Sequence, residues 1–330
     1  MRHRGSGSVY GERVVKRSLT VAGLFAGVGG IEIGFQRAGF TPVFANEIDK
    51  YAAKTYEANH HHTLAVGDIG ELPSEALPKD LTVLAGGFPC QPFSVAGYRK
   101  GFEDDRGNVF RDIVRLIQDQ QPEVVFLENV KNLKGHDNGN TFKVINESLE
   151  ASGYSVTANV LNSSEYGNIP QNRERIYIIG FKDPLANAGF MWPDAVPLTR
   201  PLSDLIDFQE QKDPKYYYTE ARPFFDILTE EMTDPKSIYQ WRRQYVRQNK
   251  SGVCPTLTAN MGMGGHNVPL IKTRYGIRKL TPRECFNMMG YPEDFVLPTE
   301  LADSQLYKQA GNSVVVPVIE SIARQIKSAI

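Results

Sequence analysis

Leu19-Thr-Val-Ala-Gly-Leu-Phe-Ala-Gly-Val-Gly-Gly30 is the stretch that decides the fold. A short apolar run ends in glycines, and an amphipathic stretch at 30–38 follows at once. Strand, glycine turn and helix form the opening unit of a ligand-binding α/β layer, the glycines permitting close ligand approach and tight helix packing. Alone the turn is a weak signal, because such glycines also serve strand–helix packing. The alternation beyond it strengthens the reading. Apolar runs at 42–45, 63–66, 81–85 and 124–127 alternate with helical patterns at 49–59, 108–119 and 141–152, and β-like runs at 154–161 and 175–181 close the region. This order predicts an α/β fold with a doubly wound, mixed but mainly parallel sheet, helices on both faces, and ligands beyond the carboxyl ends of the strands.

Four successive strand ends carry glycine, carboxylate or both. After the first comes Phe25-Ala26-Gly27-Val-Gly29, after the second Asn46-Glu47-Ile48-Asp49, and after the third Gly67-Asp68-Ile69. A carboxylate at the second strand end suits ribose hydroxyls. The fourth run leads into Gly86-Gly-Phe-Pro89-Cys90-Gln91-Pro-Phe-Ser94, a Gly/Pro loop that displays one thiol. A buried structural cysteine is the commoner fate of a lone Cys, yet such residues lie in apolar periodic segments rather than in loops of this composition. Cys90 therefore reads as a nucleophile. Glu128 ends the next apolar run, where partial desolvation would raise its pKa and make it a candidate proton donor. Arg173 and Arg175 alternate before the last run, on one face by the period-two rule, as binders of carboxylate or phosphate.

At 330 residues the chain is long enough for one large core plus a smaller module. Its 41% hydrophobic and 23% charged residues are ordinary for a soluble globular protein, and no apolar stretch approaches a membrane span. Cys90, Cys254 and Cys285, odd in number and far apart, argue against a disulfide framework and against a zinc site, and no metal is expected; a reducing cytoplasm suits them. His60-His61-His62 reads as a solvated loop run. From Pro184 prolines punctuate a less regular stretch that reads as a smaller, loop-rich domain, and helical patterning returns at Thr281-Pro-Arg-Glu284, a capping box. The net charge of −1 hides an uneven distribution: between Pro235 and Arg283 there is no acid and there are ten Lys or Arg, with Tyr239, Trp241, Tyr245 and Tyr275 interleaved. That stretch reads as a phosphate-contacting surface.

With these residues in place the chain resembles the cytosine-5 DNA methyltransferases, particularly the bacterial restriction–modification enzymes. The resemblance rests on Phe25–Gly30, Glu47, Asp68-Ile69, Phe88-Pro-Cys-Gln91, Glu128-Asn-Val130, Gln171/Arg173/Arg175, Arg278-Lys-Leu-Thr-Pro-Arg-Glu284 and Gly311-Asn-Ser-Val314, in family order over nearly the whole chain. One departure is Gly23, where many members carry an acid. The resemblance implies S-adenosylmethionine as cofactor, held by Phe25, Ala26, Gly27, Gly29, Glu47, Ile48, Asp68, Ile69, Pro89 and Asn312. It implies attack by Cys90 on carbon 6 of a flipped cytosine, with Gln91 beside it, Glu128 at ring nitrogen 3, Arg173 on the base carbonyl and Arg175 alongside. It further implies a target-recognition domain at 186–280, between a catalytic domain at 19–185 and a C-terminal return at 281–330, with 1–18 a flexible basic extension. Ser94, Arg106, Arg242, Arg243, Arg247, Lys250, Thr256, Leu257 and Asn260 are the expected DNA contacts, with base readout near 258–267. Double-stranded DNA is the expected partner, a cognate restriction endonuclease a functional one, and a monomer in the bacterial cytoplasm the expected state. A tRNA cytosine-5 methyltransferase and a silent DNA-binding homologue are the alternatives; the basic segment, the absence of a Cys-Phe-Thr tripeptide and the joint presence of Cys90, Glu128, Arg173 and Arg175 weigh against them.

Overall fold

A computed structural model describes residues 17–89, 109–222, 224–242, 244–249, 251–262 and 268–330. Its main sheet has the order β3-β2-β1-β4-β5-β8-β6, from β1 (Thr20–Leu24), β2 (Thr41–Glu47), β3 (Thr63–Val66), β4 (Val83–Gly87), β5 (Val124–Val130), β6 (Ser155–Asn162) and β8 (Glu174–Phe181). β8 is antiparallel to both of its neighbours, and the other pairings are parallel. The chain winds outward from β1 to β3, then returns to β4 on the other side of β1. The switch point of the sheet is thus the crevice beyond β1 and β4, where the glycine turn and the segment entering Cys90 leave adjacent strands.

The strand period places one set of side chains on each face. Val21, Val83, Ala85, Val124, Phe126 and Ile179 pack under α1 (Gly30–Arg37) and the last helix, while Ala22, Leu24, Leu84, Val125, Leu127 and Ile178 pack under α3 (Val109–Gln120) and α4 (Asn140–Ala151). α2 (Lys50–Glu57) starts where Asp49 caps it, accepting from the Tyr51 and Ala52 amides. Helix α10 (Val316–Ala329) closes the first face, and an ideal Cβ on Gly34 would fall 2.5 Å from Ile319 Cβ, so the two helices meet almost backbone to backbone. Arg17 pairs with Glu123, so the chain is tied to the sheet from the first described residue; residues 1–16 of the expected flexible extension lie outside the described residues.

The segment expected to be loop-rich carries a regular element as well. A second, antiparallel sheet has the order β10-β9-β12-β13, from β9 (Ile238–Trp241), β10 (Val246–Asn249), β12 (Leu270–Thr273) and β13 (Gly276–Lys279). Tyr239, Trp241, Leu270 and Ile277 pack with Leu228 and Met232 in a core of their own. A third pairing joins the halves: β7 (Gln171–Asn172) runs parallel to β11 (Cys254–Pro255). Among the described residues no helix is long and apolar enough to cross a membrane.

Candidate active site

Three strand ends are knitted together at the crevice. The Ala26 amide donates to Asn46 O at 3.0 Å, and Asn46 Nδ2 donates to Ala65 O and Gly67 O at 3.0 Å each. Asn46 was not singled out from sequence; an amide one residue before Glu47 at a strand end was the available signal. Phe25 and Gly27 sit in left-handed conformations at φ +53° and +58°, and a Cβ on Gly27 would meet nothing within 4 Å. Phe25 is there despite its side chain, which marks a turn held by its surroundings. Glu47 Oε2 accepts from the Gly27 amide and Oε1 from the Asp49 amide, both at 2.7 Å, so the carboxylate shapes the turn and keeps lone pairs for a ligand. Beside it Ile48 is 63% exposed, an apolar side chain left uncovered at the crevice. Asp68 is exposed and caps the turn after β3 through the Gly70 amide. Ile69 departs from expectation: it is buried against Leu72 and Phe110, so its side chain serves the core. Pro89 is exposed at the end of β4, and Asn312 is exposed at the end of α9 (Asp303–Asn312). Ser313 and Val314 come so close to Gly30 that a Cβ there would lie 2.9 and 3.0 Å from them.

Glu128 stands opposite Gly87 on β4 and Tyr177 on β8. Gly87 makes the room: a Cβ there would lie 3.2 Å from Glu128 Oε2. Burial raises the Glu128 pKa above the usual carboxylate range, against the pull of Arg175 and Arg173. Arg175 Nε lies 3.0 Å from Glu128 Oε1. Arg173 is engaged elsewhere, and this corrects the role expected of it. Its Nη1 donates to Leu257 O at 2.7 Å and its Nη2 to Gly311 O and Ser313 O, all main-chain carbonyls. The side chain is fully enclosed, and burial with Arg175 beside it lowers its pKa to about 9, leaving a cation at neutral pH. Of the two arginines, Arg175 is the one at the carboxylate. Asn129 Nδ2 donates to Phe88 O at 2.9 Å, fixing the main chain two residues before Cys90. Cys90 and Gln91 lie outside the described residues. Cys254 and Cys285 are free thiols enclosed in the core, and burial pushes both pKa values up, so neither is a thiolate at neutral pH.

The departure at Gly23 has a structural counterpart on α1. A Cβ at Gly23 would fall 1.8 Å from Glu32 Oε1, so the Glu32 carboxyl occupies the space that a side chain at position 23 would take. Glu32 is fully buried, with the Tyr56 hydroxyl as the polar side-chain group beside its carboxyl. Burial raises its pKa to about 7, Glu47 nearby adds to the rise, and Tyr56 opposes it. Tyr56 in turn shares a 2.6 Å hydrogen bond with His62 Nε2 and stacks on His60 at 4.2 Å. His60 is thus packed against the glycine turn and His62 against Tyr56, contrary to the solvated reading, while His61 is exposed; burial lowers the pKa of His62 and takes that of His60 to about 4.

The expected DNA contacts divide. Arg242, Arg247, Thr256 and Asn260 line one open cleft of about 440 Å³ between the β9–β10 hairpin and the loop after β11. Leu257 does not belong with them: it is 1% exposed, its amide donates to Gln171 Oε1 and its carbonyl accepts from Arg173, which makes it part of the core. Gln171 also donates to Met288 O at 2.7 Å, and Thr256 Oγ1 donates to Asn172 O at 2.6 Å. Ser94, Arg106, Arg243 and Lys250 lie outside the described residues.

A doubly wound sheet with a glycine turn, a ribose-suited carboxylate and an acid–arginine pair around one switch point defines an α/β enzyme acting on a nucleoside-like ligand. A family model for C-5 cytosine-specific DNA methylase matches residues 19–328, and the chain belongs to that family. It is a DNA (cytosine-5) methyltransferase of the Type II restriction–modification class. The Type II methyltransferase M.Bsp6I of Bacillus sp. (strain RFL6) is 60% identical over 311 residues, covering 93% of this chain and 98% of that relative. M.HhaI of Haemophilus parahaemolyticus is 39% identical, covering 93% and 94%. The S. pombe Dnmt2 methyltransferase structure superposes with a TM-score of 0.72 at 20% identity, over 94% of this chain and 98% of that one, a likeness of fold.

Proposed function

We propose that the crevice methylates carbon 5 of a cytosine swung out of duplex DNA, with Cys90 as nucleophile, Glu128 as the acid at ring nitrogen 3 and Arg175 at the base carbonyl. The buried Glu128, held protonated to higher pH than an ordinary carboxylate and paired with Arg175 beside the strand that leads to Cys90, is the observation that carries the assignment. Cytosine is electron-poor, so carbon 5 does not attack unaided. Addition of the Cys90 sulfur to carbon 6, with the Glu128 proton on nitrogen 3, leaves an enamine whose carbon 5 is nucleophilic. Once that carbon is alkylated, loss of its proton returns the electron pair to the ring and breaks the sulfur–carbon bond, and the nitrogen 3 proton goes back to Glu128. Base flipping is what gives a thiol access to carbon 6 in a duplex.

S-adenosylmethionine would be held at the strand ends: the open space at Gly27 would admit its methionine end, Glu47 would take the ribose hydroxyls, exposed Ile48 would offer a face for adenine and Asp68 an acceptor for its amino group. When bound, it supplies an electrophilic methyl group. The acid-free segment positions the duplex through phosphates. A cognate endonuclease would be the functional partner, and the enzyme would act as a monomer. Incubation of duplex DNA with methyl-labelled S-adenosylmethionine is expected to yield labelled 5-methylcytosine, and Cys90→Ala to abolish it. Undiminished transfer by Cys90→Ala would overturn the mechanism.

A further inference from the structure

The β9–β10 hairpin pairs Arg247 with Gln240 and Asn249 with Ile238, while Val246 pairs with Trp241 and Gln248 with Tyr239. Tyr239 and Trp241 enter the apolar core of the second sheet, and Val246 packs against it. By the two-residue period Gln240, Arg247 and Asn249 share the opposite face, and all three line the cleft with Arg242, Thr258 and Asn260. Asn172, which immediately precedes Arg173, lies on its wall, so the cleft adjoins the catalytic strand ends. Gln240, Arg242 and Arg247 make no side-chain hydrogen bond or ion pair with a described residue, and no Asp or Glu lies between Pro235 and Arg283 to pair with them locally.

We propose that this hairpin is the base-reading element and that Arg247 selects a guanine of the target site. The inference rests on the methyltransferase reading above. Its chemistry separates bases from phosphates. A phosphate takes donors only, from cations, amides and hydroxyls alike, so an amide oxygen in the wall finds no partner on it. Beside the Arg247 fork this cleft carries the Gln240 amide, which offers a donor and an acceptor together, as base edges do, and the Asn249 amide oxygen. A two-stranded ribbon fits the major groove, and an arginine fork there pairs with guanine O6 and N7. Gln240 across the ladder and Asn249 two residues on are placed for the adjoining pairs. Arg242, exposed beside the hairpin turn where its amide donates to Tyr245 O at 2.9 Å, is the phosphate contact.

The test is methylation of a randomised duplex library by the wild-type enzyme, Arg247→Lys, Arg247→Ala and Arg242→Ala, read by bisulfite sequencing. The wild type must show a defined site; no duplex methylation at all would sink the methyltransferase reading itself. Given a site, Arg247→Lys and Arg247→Ala are each expected to lose discrimination at one G·C position by roughly 5- to 150-fold while methylating the relaxed sites. Arg242→Ala is expected to weaken all sequences alike and to lower the salt slope by about one. An unchanged site preference in Arg247→Lys, which keeps the charge and loses the fork, would overturn the assignment. So would a loss in Arg247→Ala that is uniform across sequences. A folded but inactive Arg247→Ala leaves Arg247→Lys to decide.

Discussion

Glu32 holds a buried carboxyl group beside Tyr56, in a space shaped by the missing side chain of Gly23. With a pKa of about 7 folded against 4.5 unfolded, the native state keeps the proton while the unfolded chain releases it. Stability from this group is complete below pH 4.5, falls as pH rises, and is gone above pH 7. The change amounts to at most about 3 kcal/mol. Glu32→Gln is therefore expected to flatten the pH dependence of denaturant unfolding across that window and to be more stable than the wild type at pH 8. An unchanged profile would show that the carboxyl does not titrate there. At this scale the sequence was legible where a residue's place follows from its own segment: Glu47 closes β2, Asp68 follows β3 and Glu128 lies near the end of β5. It was not legible where the partner is distant. The division between Arg173 and Arg175 depends on carbonyls at Leu257, Gly311 and Ser313, which no local spacing reveals.

Among the elements, α8 (Pro282–Asn287) begins with the capping box read from Thr281 and Glu284. The cap is only half of what Glu284 does. Arg278 on β13 reaches it with two parallel bonds of 2.7 and 2.8 Å, the Thr281 amide donates to it at 2.8 Å and the Asp207 amide at 3.0 Å. Both side chains of the pair are almost wholly buried. The motif Arg278–Glu284 is thus the joint between the second sheet and the helix that returns to the main one. Glu284→Ala would leave the Arg278 cation enclosed and unpaired, a loss of about 3–5 kcal/mol. Equilibrium denaturation should register it, and a change within 1 kcal/mol would mean that the pair is not enclosed as described. The strands of the second sheet went unread because each spans only four residues and carries at least one polar residue, among them Gln, Arg, Asn, Lys and Thr. Strands of the main sheet were readable from apolar runs such as Val83-Leu-Ala85 and Val124-Val-Phe-Leu127, though their order was not.

Across the whole molecule, the cleft of the hairpin and the crevice of the main sheet meet at the β7–β11 pairing. Arg173 and Gln171 hold that meeting point from the catalytic side. Arg173→Met should leave the Leu257, Gly311 and Ser313 carbonyls short of donors, at a cost on the order of 1–3 kcal/mol for each that water cannot reach. The expected result is faster proteolytic cleavage within 186–280 and weaker DNA binding, while S-adenosylmethionine binding falls less. Equal loss of both ligands would show that the damage is global instead. The doubly wound, mainly parallel sheet could be anticipated from the strand–helix alternation, but this seam could not: a two-residue pairing between positions over eighty residues apart leaves no periodic trace.

The seam has a consequence for how such enzymes diversify. Arg173 grips three carbonyls, Gln171 receives the Leu257 amide, and β11 pairs through its backbone. From the inserted segment these contacts take the backbone at Leu257 and Cys254-Pro255, and a few side chains buried in the main core, Cys254, Leu257 and Met261 among them, but none that lines the polar face of the hairpin. The segment is therefore a cartridge: its reading surface can be rewritten by substitution while the socket that aims it at the catalytic crevice stays the same.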